Sequence, residues 1–103
     1  MEVNIARENS TITVCFSGRM DTPGAQEIMP QMNALAEEAS NTLILDCTEM
    51  NYISSSGLRI FLMLRKAAAE KGGKVIVRSI NNDIRSVFMM TGFLNLFEIQ
   101  SNN

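Results

Sequence analysis

The chain of 103 residues has no histidine, no tryptophan, one tyrosine, two prolines and two cysteines. Without histidine, the Ser-His-Asp and Cys-His arrangements of nucleophilic enzymes are excluded, and the commonest transition-metal ligand is missing. The serine segment Ile53–Gly57 lacks the leading glycine of a Gly-x-Ser-x-Gly nucleophile elbow. Gly72-Gly73-Lys74 lacks the upstream glycine and the following Ser or Thr of a Walker loop. We therefore expect a protein that is not an enzyme and that needs no cofactor or metal.

Long apolar runs and an excess of basic residues are also missing. The longest apolar run, Ile60–Leu64, is far shorter than the roughly 20 residues that span a bilayer. Nine Lys and Arg against eleven Asp and Glu do not make a basic surface for nucleic acid. Residues 1–4 lack the basic and apolar regions of a secretory signal. For a complete chain, we expect a cytoplasmic protein without membrane insertion or nucleic-acid binding, with Cys15 and Cys47 as unpaired, small buried hydrophobes.

Hydrophobic periodicity predicts one α/β domain that spans residues 1–103. Alternating and apolar runs predict strands, and apolar positions at helical spacing predict helices. The predicted elements are strands over 2–6, 11–17, 42–47, 74–78 and 96–99, and helices over 23–39 and 56–71, with a third helix that Asn82 caps and that ends before Gly92. The order is β-β-α-β-α-β-α-β, which implies one mixed, largely parallel sheet covered by helices. The last residues, Ser101–Asn103, are expected to fray.

Several local features mark the ends of these elements. Thr22 precedes Pro23 and is expected to cap the first helix, while Pro30 is expected to kink or divide it. Gly18 is expected to end the second strand. The nearly continuous apolar run of residues 42–47 is typical of a strand that is buried on both faces.

The most informative segment is the run of three serines and a glycine, Ser54–Gly57, directly before the second helix. Unpaired backbone N–H groups and the macrodipole make a helix N-terminus favourable for negative charge. One serine is enough to cap the helix, and three with a glycine exceed that need. The segment therefore suits a bound phosphate or a covalently attached phosphoryl group.

Four segments, in order along the chain, carry a resemblance to a known family. They are Gly18-Arg19-Met20-Asp21, Leu43-Ile44-Leu45-Asp46, Tyr52-Ile53-Ser54-Ser55-Ser56-Gly57-Leu58 and Thr91-Gly92-Phe93-Leu94-Asn95-Leu96-Phe97. Together they resemble the STAS domain, and specifically its single-domain members that act as anti-sigma factor antagonists. The similarity runs from about Val3 to Ile99. It implies the STAS-like fold with the order given above.

The resemblance also implies a function. Ser55 matches the serine that an anti-sigma factor kinase phosphorylates in the family. Ser54 stands where the family often has Asp, and it is a candidate second acceptor. The implied partner-binding residues are Asp21, Ser54, Ser56, Gly57, Leu58 and Arg59. Asp46 matches a second acidic position that tends to lie near the serine loop.

The unphosphorylated domain would bind an anti-sigma factor with serine kinase activity, and phosphorylation at Ser55 would end the binding. A serine phosphatase is a further implied partner. The domain itself would perform no catalysis. The alternative function is an accessory STAS subunit of an ABC-type lipid transport complex, which needs the fold but no phosphorylatable serine.

Some assignments stay open in the sequence. The apolar second helix favours simple burial, and a partner-binding stripe that includes Ile60, Met63 or Leu64 is the alternative. Met20 and Met50 are either adaptable core residues or partner contacts near the serines. The carboxylates of Asp21 and Asp46 have either a partner role or only hydrogen bonds to loop amides.

Overall fold

The computed structural model describes residues 1–101, which form a five-stranded sheet and three α-helices. In chain order the elements are β1 (Glu2–Glu8), β2 (Thr11–Met20), α1 (Thr22–Ala36), β3 (Thr42–Ile53), α2 (Ser55–Lys71), β4 (Lys74–Arg78), α3 (Asn82–Thr91), one turn of 3₁₀ helix (Phe93–Asn95) and β5 (Glu98–Gln100). The predicted order is confirmed. None of the helices in this range is both long and apolar enough to cross a membrane.

The strands lie side by side in chain order, with β1 antiparallel to β2 and all other pairs parallel. The mixed, largely parallel sheet is therefore confirmed. Each of the three crossovers moves one position in the same direction. Because such crossovers are right-handed, they place α1, α2 and α3 on the same face of the sheet. The predicted sheet covered by helices is confirmed, and the helices lie on one of its two faces.

The burial of β3 shows the same asymmetry. Leu43 and Leu45 belong to the core, whereas Ile44 between them is only half-buried and lies on the opposite face. Ile44 is paired with Ile76 of β4. Ile76 is only 6% exposed, but it does not belong to the core cluster between the sheet and the helices. The prediction that β3 is buried on both faces was wrong, because the helices cover only one face of the sheet. On the open face, Ile44 and Ile76 only shield each other from solvent.

The core between the sheet and the helices contains all five phenylalanines. Phe61 of α2 lies at its centre, with ring centroids 5.7 Å from Phe16, 6.1 Å from Phe88 and 6.2 Å from Phe97. Such contacts add to the stability that burial provides. They fix α2 firmly on the sheet, so the start of this helix has a defined position.

Three strands extend further than predicted. β1 runs to Glu8 instead of residue 6. β2 continues past Gly18 to Met20, because Gly18 adopts φ +101° within the strand, where the register with β3 shifts. β3 continues to Ile53, so the segment that was predicted as a polar loop is strand. Met20 is paired with Ile53 in this extension. The extended pair carries the chain directly to the serines.

Helix ends differ from the predictions by one to three residues. Asp21, not Thr22, caps α1, and Asn81, not Asn82, caps α3. α1 ends at Ala36 and runs without a break through Pro30. The last strand begins at Glu98, because the 3₁₀ turn and Phe97 precede it. Of the tail that was predicted to fray, residues 102–103 lie outside the described residues.

Candidate functional site

The candidate site lies at the edge of the sheet where parallel strands end and helices begin. α1, α2 and α3 each start with a side chain that accepts a hydrogen bond from the first turn, namely Asp21, Ser54 and Asn81. The Asn81 side chain also donates to the backbone oxygen of Met50, at 3.3 Å, which ties α3 to β3. One edge of the molecule therefore collects three helix N-termini, which carry partial positive charge.

Ser54 connects β3 to α2 and is the cap of that helix. Its backbone N–H donates to the Met20 carbonyl oxygen at 2.8 Å, so the chain enters the helix beside the end of β2. Its extended backbone (φ −95°, ψ 174°) lets Oγ accept from the backbone N–H of Gly57 at 3.2 Å. The half-buried Ser54 hydroxyl is thus already engaged.

Ser55 is the first residue of α2 and is exposed. The backbone N–H groups of Ser55 and Ser56 are among those that a helix leaves without intrahelical partners. No acidic residue lies in the first turn of α2, so no carboxylate offsets the dipole there. A negative group attached to the Ser55 hydroxyl would therefore meet a favourable local field.

Ser56 faces the neighbouring helix. Its Oγ lies 3.4 Å from Oγ1 of Thr22, the first residue of α1. The sequence analysis treated Thr22 only as a cap and missed this contact, because it depends on how α1 and α2 pack against each other. The two hydroxyls link the starts of both helices within the candidate site.

Asp21 has two roles in the structure. Its Oδ1 accepts from the backbone N–H of Gly24 at 2.8 Å, and its Oδ2 lies 4.0 Å from Nε of Arg19. The Arg19 guanidinium carbon also lies 4.2 Å from the ring centroid of Tyr52. Capping is therefore one function of this carboxylate, and half-buried Asp21 still presents an oxygen to the surface. Sequence reasoning missed the contact between Arg19 and Tyr52, because no local pattern indicates it.

Two residues of the predicted partner-binding set lie in the interior. Gly57 and Leu58 are buried and pack inside the domain, and their partner-binding role stays a prediction. Arg59 is exposed one turn into α2, with no ion pair among residues 1–101. The structure thus brings Asp21, Ser54, Ser55, Ser56 and Arg59 to one surface; their roles stay predictions.

The open alternatives for the apolar residues are settled by burial. Met20 and Met50 are core residues, so neither is a partner contact. Ile60 and Leu64 are also fully buried, and Met63 is half-buried against the core. Leu62, Arg65 and Ala69 of the same helix are exposed.

Asp46 does not join the serines. It lies eight residues before Ser54 on β3, in the middle of the sheet, where it accepts from the Thr48 hydroxyl and from Arg78 at 2.8 Å. Partial burial opposes the charged carboxylate, but these hydrogen bonds outweigh it, and the pKa of Asp46 lies below its usual value. Its role in the structure is an ion pair between β3 and β4.

Both cysteines are unpaired, with Cys47 buried and Cys15 half-buried. Burial raises the pKa of both thiols, and the Asp46 carboxylate raises them further. Cys47 is thus a small buried hydrophobic residue as predicted, whereas the prediction of burial was wrong for Cys15.

Comparison with known proteins assigns the family. The family model of the STAS domain matches residues 2–103. The chain belongs to the STAS domain family. A relative named as an anti-sigma factor antagonist, BtrV from Bordetella bronchiseptica, is 24% identical over 99 residues, which cover 96% of this chain and 85% of the relative.

Solved structures show the same fold. An anti-sigma factor antagonist from Thermotoga maritima has a TM-score of 0.87 and 14% identity, with 95% of this chain and 85% of that chain covered. The Bacillus cell fate determinant SpoIIAA in its phosphorylated form has a TM-score of 0.76 and 15% identity, with 99% and 92% covered. This STAS domain thus shares its architecture with proteins of that name.

Proposed function

We propose that this STAS domain is an anti-sigma factor antagonist that phosphorylation of Ser55 switches off. In the unphosphorylated state it binds an anti-sigma factor with serine kinase activity. Phosphate transfer to the Ser55 hydroxyl releases that partner, and a serine phosphatase restores binding. The domain supplies the substrate serine and performs no catalysis. The observation that carries the proposal is the exposed Ser55 hydroxyl at the uncompensated N-terminus of α2.

The local structure tolerates the added charge. A phosphoserine carries about −1.5 to −2 charges at pH 7. At Ser55 this charge would lie beside the positive end of the α2 dipole and two unpaired backbone N–H groups. Because Ser54, not Ser55, makes the cap, modification of Ser55 breaks no hydrogen bond of the helix start. We therefore expect the fold to persist, and a phosphorylated protein with this architecture supports that expectation.

The same charge disrupts a docked partner. In a protein interface the phosphate must lose water or meet a matching cation, and an unmatched buried charge costs several kcal/mol. A cost of about 1.4 kcal/mol already weakens binding tenfold. Release therefore needs no conformational change in either protein. A partner that regulates sigma factors acts where transcription occurs, so a cytoplasmic location is part of this proposal.

The names of the relatives favour this function over the transport-subunit alternative. The test is to incubate the domain with candidate anti-sigma factor kinases of the host and ATP, and to map the modified residue by mass spectrometry. We expect a single phosphate on Ser55. Ser55→Ala should bind the kinase without being modified, and Ser55→Asp should bind weakly while its circular dichroism spectrum stays unchanged.

Ser56→Ala is the matched control, since it removes a neighbouring hydroxyl that faces Thr22. It should still be phosphorylated on Ser55. Modification at Ser54 instead of Ser55, or unfolding of Ser55→Asp, would contradict the proposed mechanism.

A further inference from the structure

A shallow apolar groove lies at the same edge of the molecule, between the end of β3 and α3. Its volume is about 280 Å³, and it is lined by Asn51, Tyr52, Ile53, Asp83, Ile84 and Val87. Ile53 directly precedes the cap Ser54, so the groove is continuous along the chain with the serine site. The volume is below the roughly 300–1,000 Å³ of small-molecule pockets and suits one or two apolar side chains.

One charged residue lies among those that line this groove. Asp83, in the first turn of α3, is exposed and is the charged residue of the lining. It has no ion pair among residues 1–101. A cation from another protein would find this carboxylate at the groove's edge.

Tyr52 forms a wall that is suited to recognition. It is the chain's one tyrosine and is 41% exposed, although its neighbour Ile53 is buried. The Arg19 guanidinium lies 4.2 Å from its ring centroid, which restricts the ring. Tyrosine and arginine are enriched among residues that dominate binding energy at protein interfaces.

We propose that this groove receives a segment of the anti-sigma factor kinase that presents an apolar side chain next to a Lys or Arg. The apolar side chain packs against Tyr52 and Val87, and the cation pairs with Asp83. The inference rests on the proposed function and extends its interface from the serines to α3. It explains affinity for the partner separately from the switch, because the groove contacts do not involve Ser55.

The experiment measures binding of the unphosphorylated domain to the kinase that modifies Ser55, by surface plasmon resonance at two salt concentrations. Tyr52→Ala should weaken binding at least about tenfold. Asp83→Asn should slow association about threefold or more at low salt, with a smaller effect at high salt. Circular dichroism and thermal unfolding would establish that both variants are folded.

Each variant has a matched control. Met90→Ala removes an apolar side chain of α3 that is 81% exposed and outside the groove, and Glu70→Gln makes the same charge change on α2. Both controls should bind as the wild type does.

Three outcomes would overturn the inference. If wild-type binding is normal and both groove variants bind equally well, the inference fails while the proposed function stands. If the wild type self-associates and Tyr52→Ala abolishes this without changing kinase binding, the groove receives a second copy instead. If no kinase modifies or binds the wild type, the proposed function fails, and this inference fails with it.

Discussion

Gly57, in the first turn of α2, lies directly against Met20, the last residue of β2. A Cβ added at Gly57 would lie 2.6 Å from the Met20 sulfur and 2.8 Å from Cγ1 of Ile53. Both distances are shorter than van der Waals contact allows. The position of the serines over the sheet therefore depends on the absence of a side chain at residue 57.

The first prediction concerns this contact. Gly57→Ala should lower the free energy of unfolding by about 1–2 kcal/mol, because overpacking outweighs the gain in helix propensity. Urea denaturation would measure the loss. In a Met20→Ala background the same substitution should cost much less, since the flexible side chain that it meets is gone. Equal costs in both backgrounds would show that Met20 is not the obstacle.

The second prediction concerns the role of Ser54 as the cap of α2. Ser54→Ala should lose about 1 kcal/mol of stability, because Gly57 loses its hydrogen-bond acceptor. Ser54→Asp should be at least as stable as the wild type, since a carboxylate caps well and also interacts favourably with the dipole. Thermal unfolding of the three proteins at neutral pH would test this order. A stable Ser54→Ala protein would mean that the cap contributes little.

The third prediction concerns pH. The folded-state pKa of Asp46 is lowered, so its contribution to stability is present above the unfolded pKa of about 3.9 and is lost as the pH falls through the folded value. Asp46→Asn should therefore destabilise the domain by about 1 kcal/mol at pH 7. The difference from the wild type should shrink below about pH 4, as measured by urea denaturation across this range. A constant difference would exclude ionisation as its cause.

The fourth prediction concerns a strained residue. Ser79 has a left-handed φ of +63°, and its hydroxyl is buried without a hydrogen-bond partner among residues 1–101. Ser79→Gly should stabilise the domain by about 1 kcal/mol, because it removes both costs. Asn9→Gly is the control, with φ +58° in an exposed position. Its gain in calorimetry should be smaller, and an equal gain would assign the whole effect to the backbone.

Much of this structure could be predicted from the sequence. Binary patterning predicted the order of elements, and the serines before an apolar helix indicated the candidate site. The first residues of α1 and α3 could not be assigned from the sequence. Two adjacent residues suit the N-cap in each case, namely Asp21 and Thr22 for α1, and Asn81 and Asn82 for α3. Tertiary contacts decide between them.

The extension of β3 from Cys47 to Ile53 could not be predicted from the sequence for a different reason. Cys47, Met50 and Ile53 face the core at every third position, since the register with β2 shifts in this region. A search for strict alternation therefore ends the strand at Cys47. The contact between Thr22 and Ser56, and the groove beside Tyr52, depend on how separate elements meet, for which local patterns give no signal.

The agreement between strand order and chain order also bears on how the domain folds. Each strand after β1 pairs with the strand that precedes it in the chain, so the sheet can grow strand by strand from its antiparallel end. Pairings of this kind keep the sequence separation of contacts modest, which favours rapid folding for a domain with a parallel sheet. The serine edge is built mainly from β2, β3 and α2, which all precede α3 and β5 in the chain.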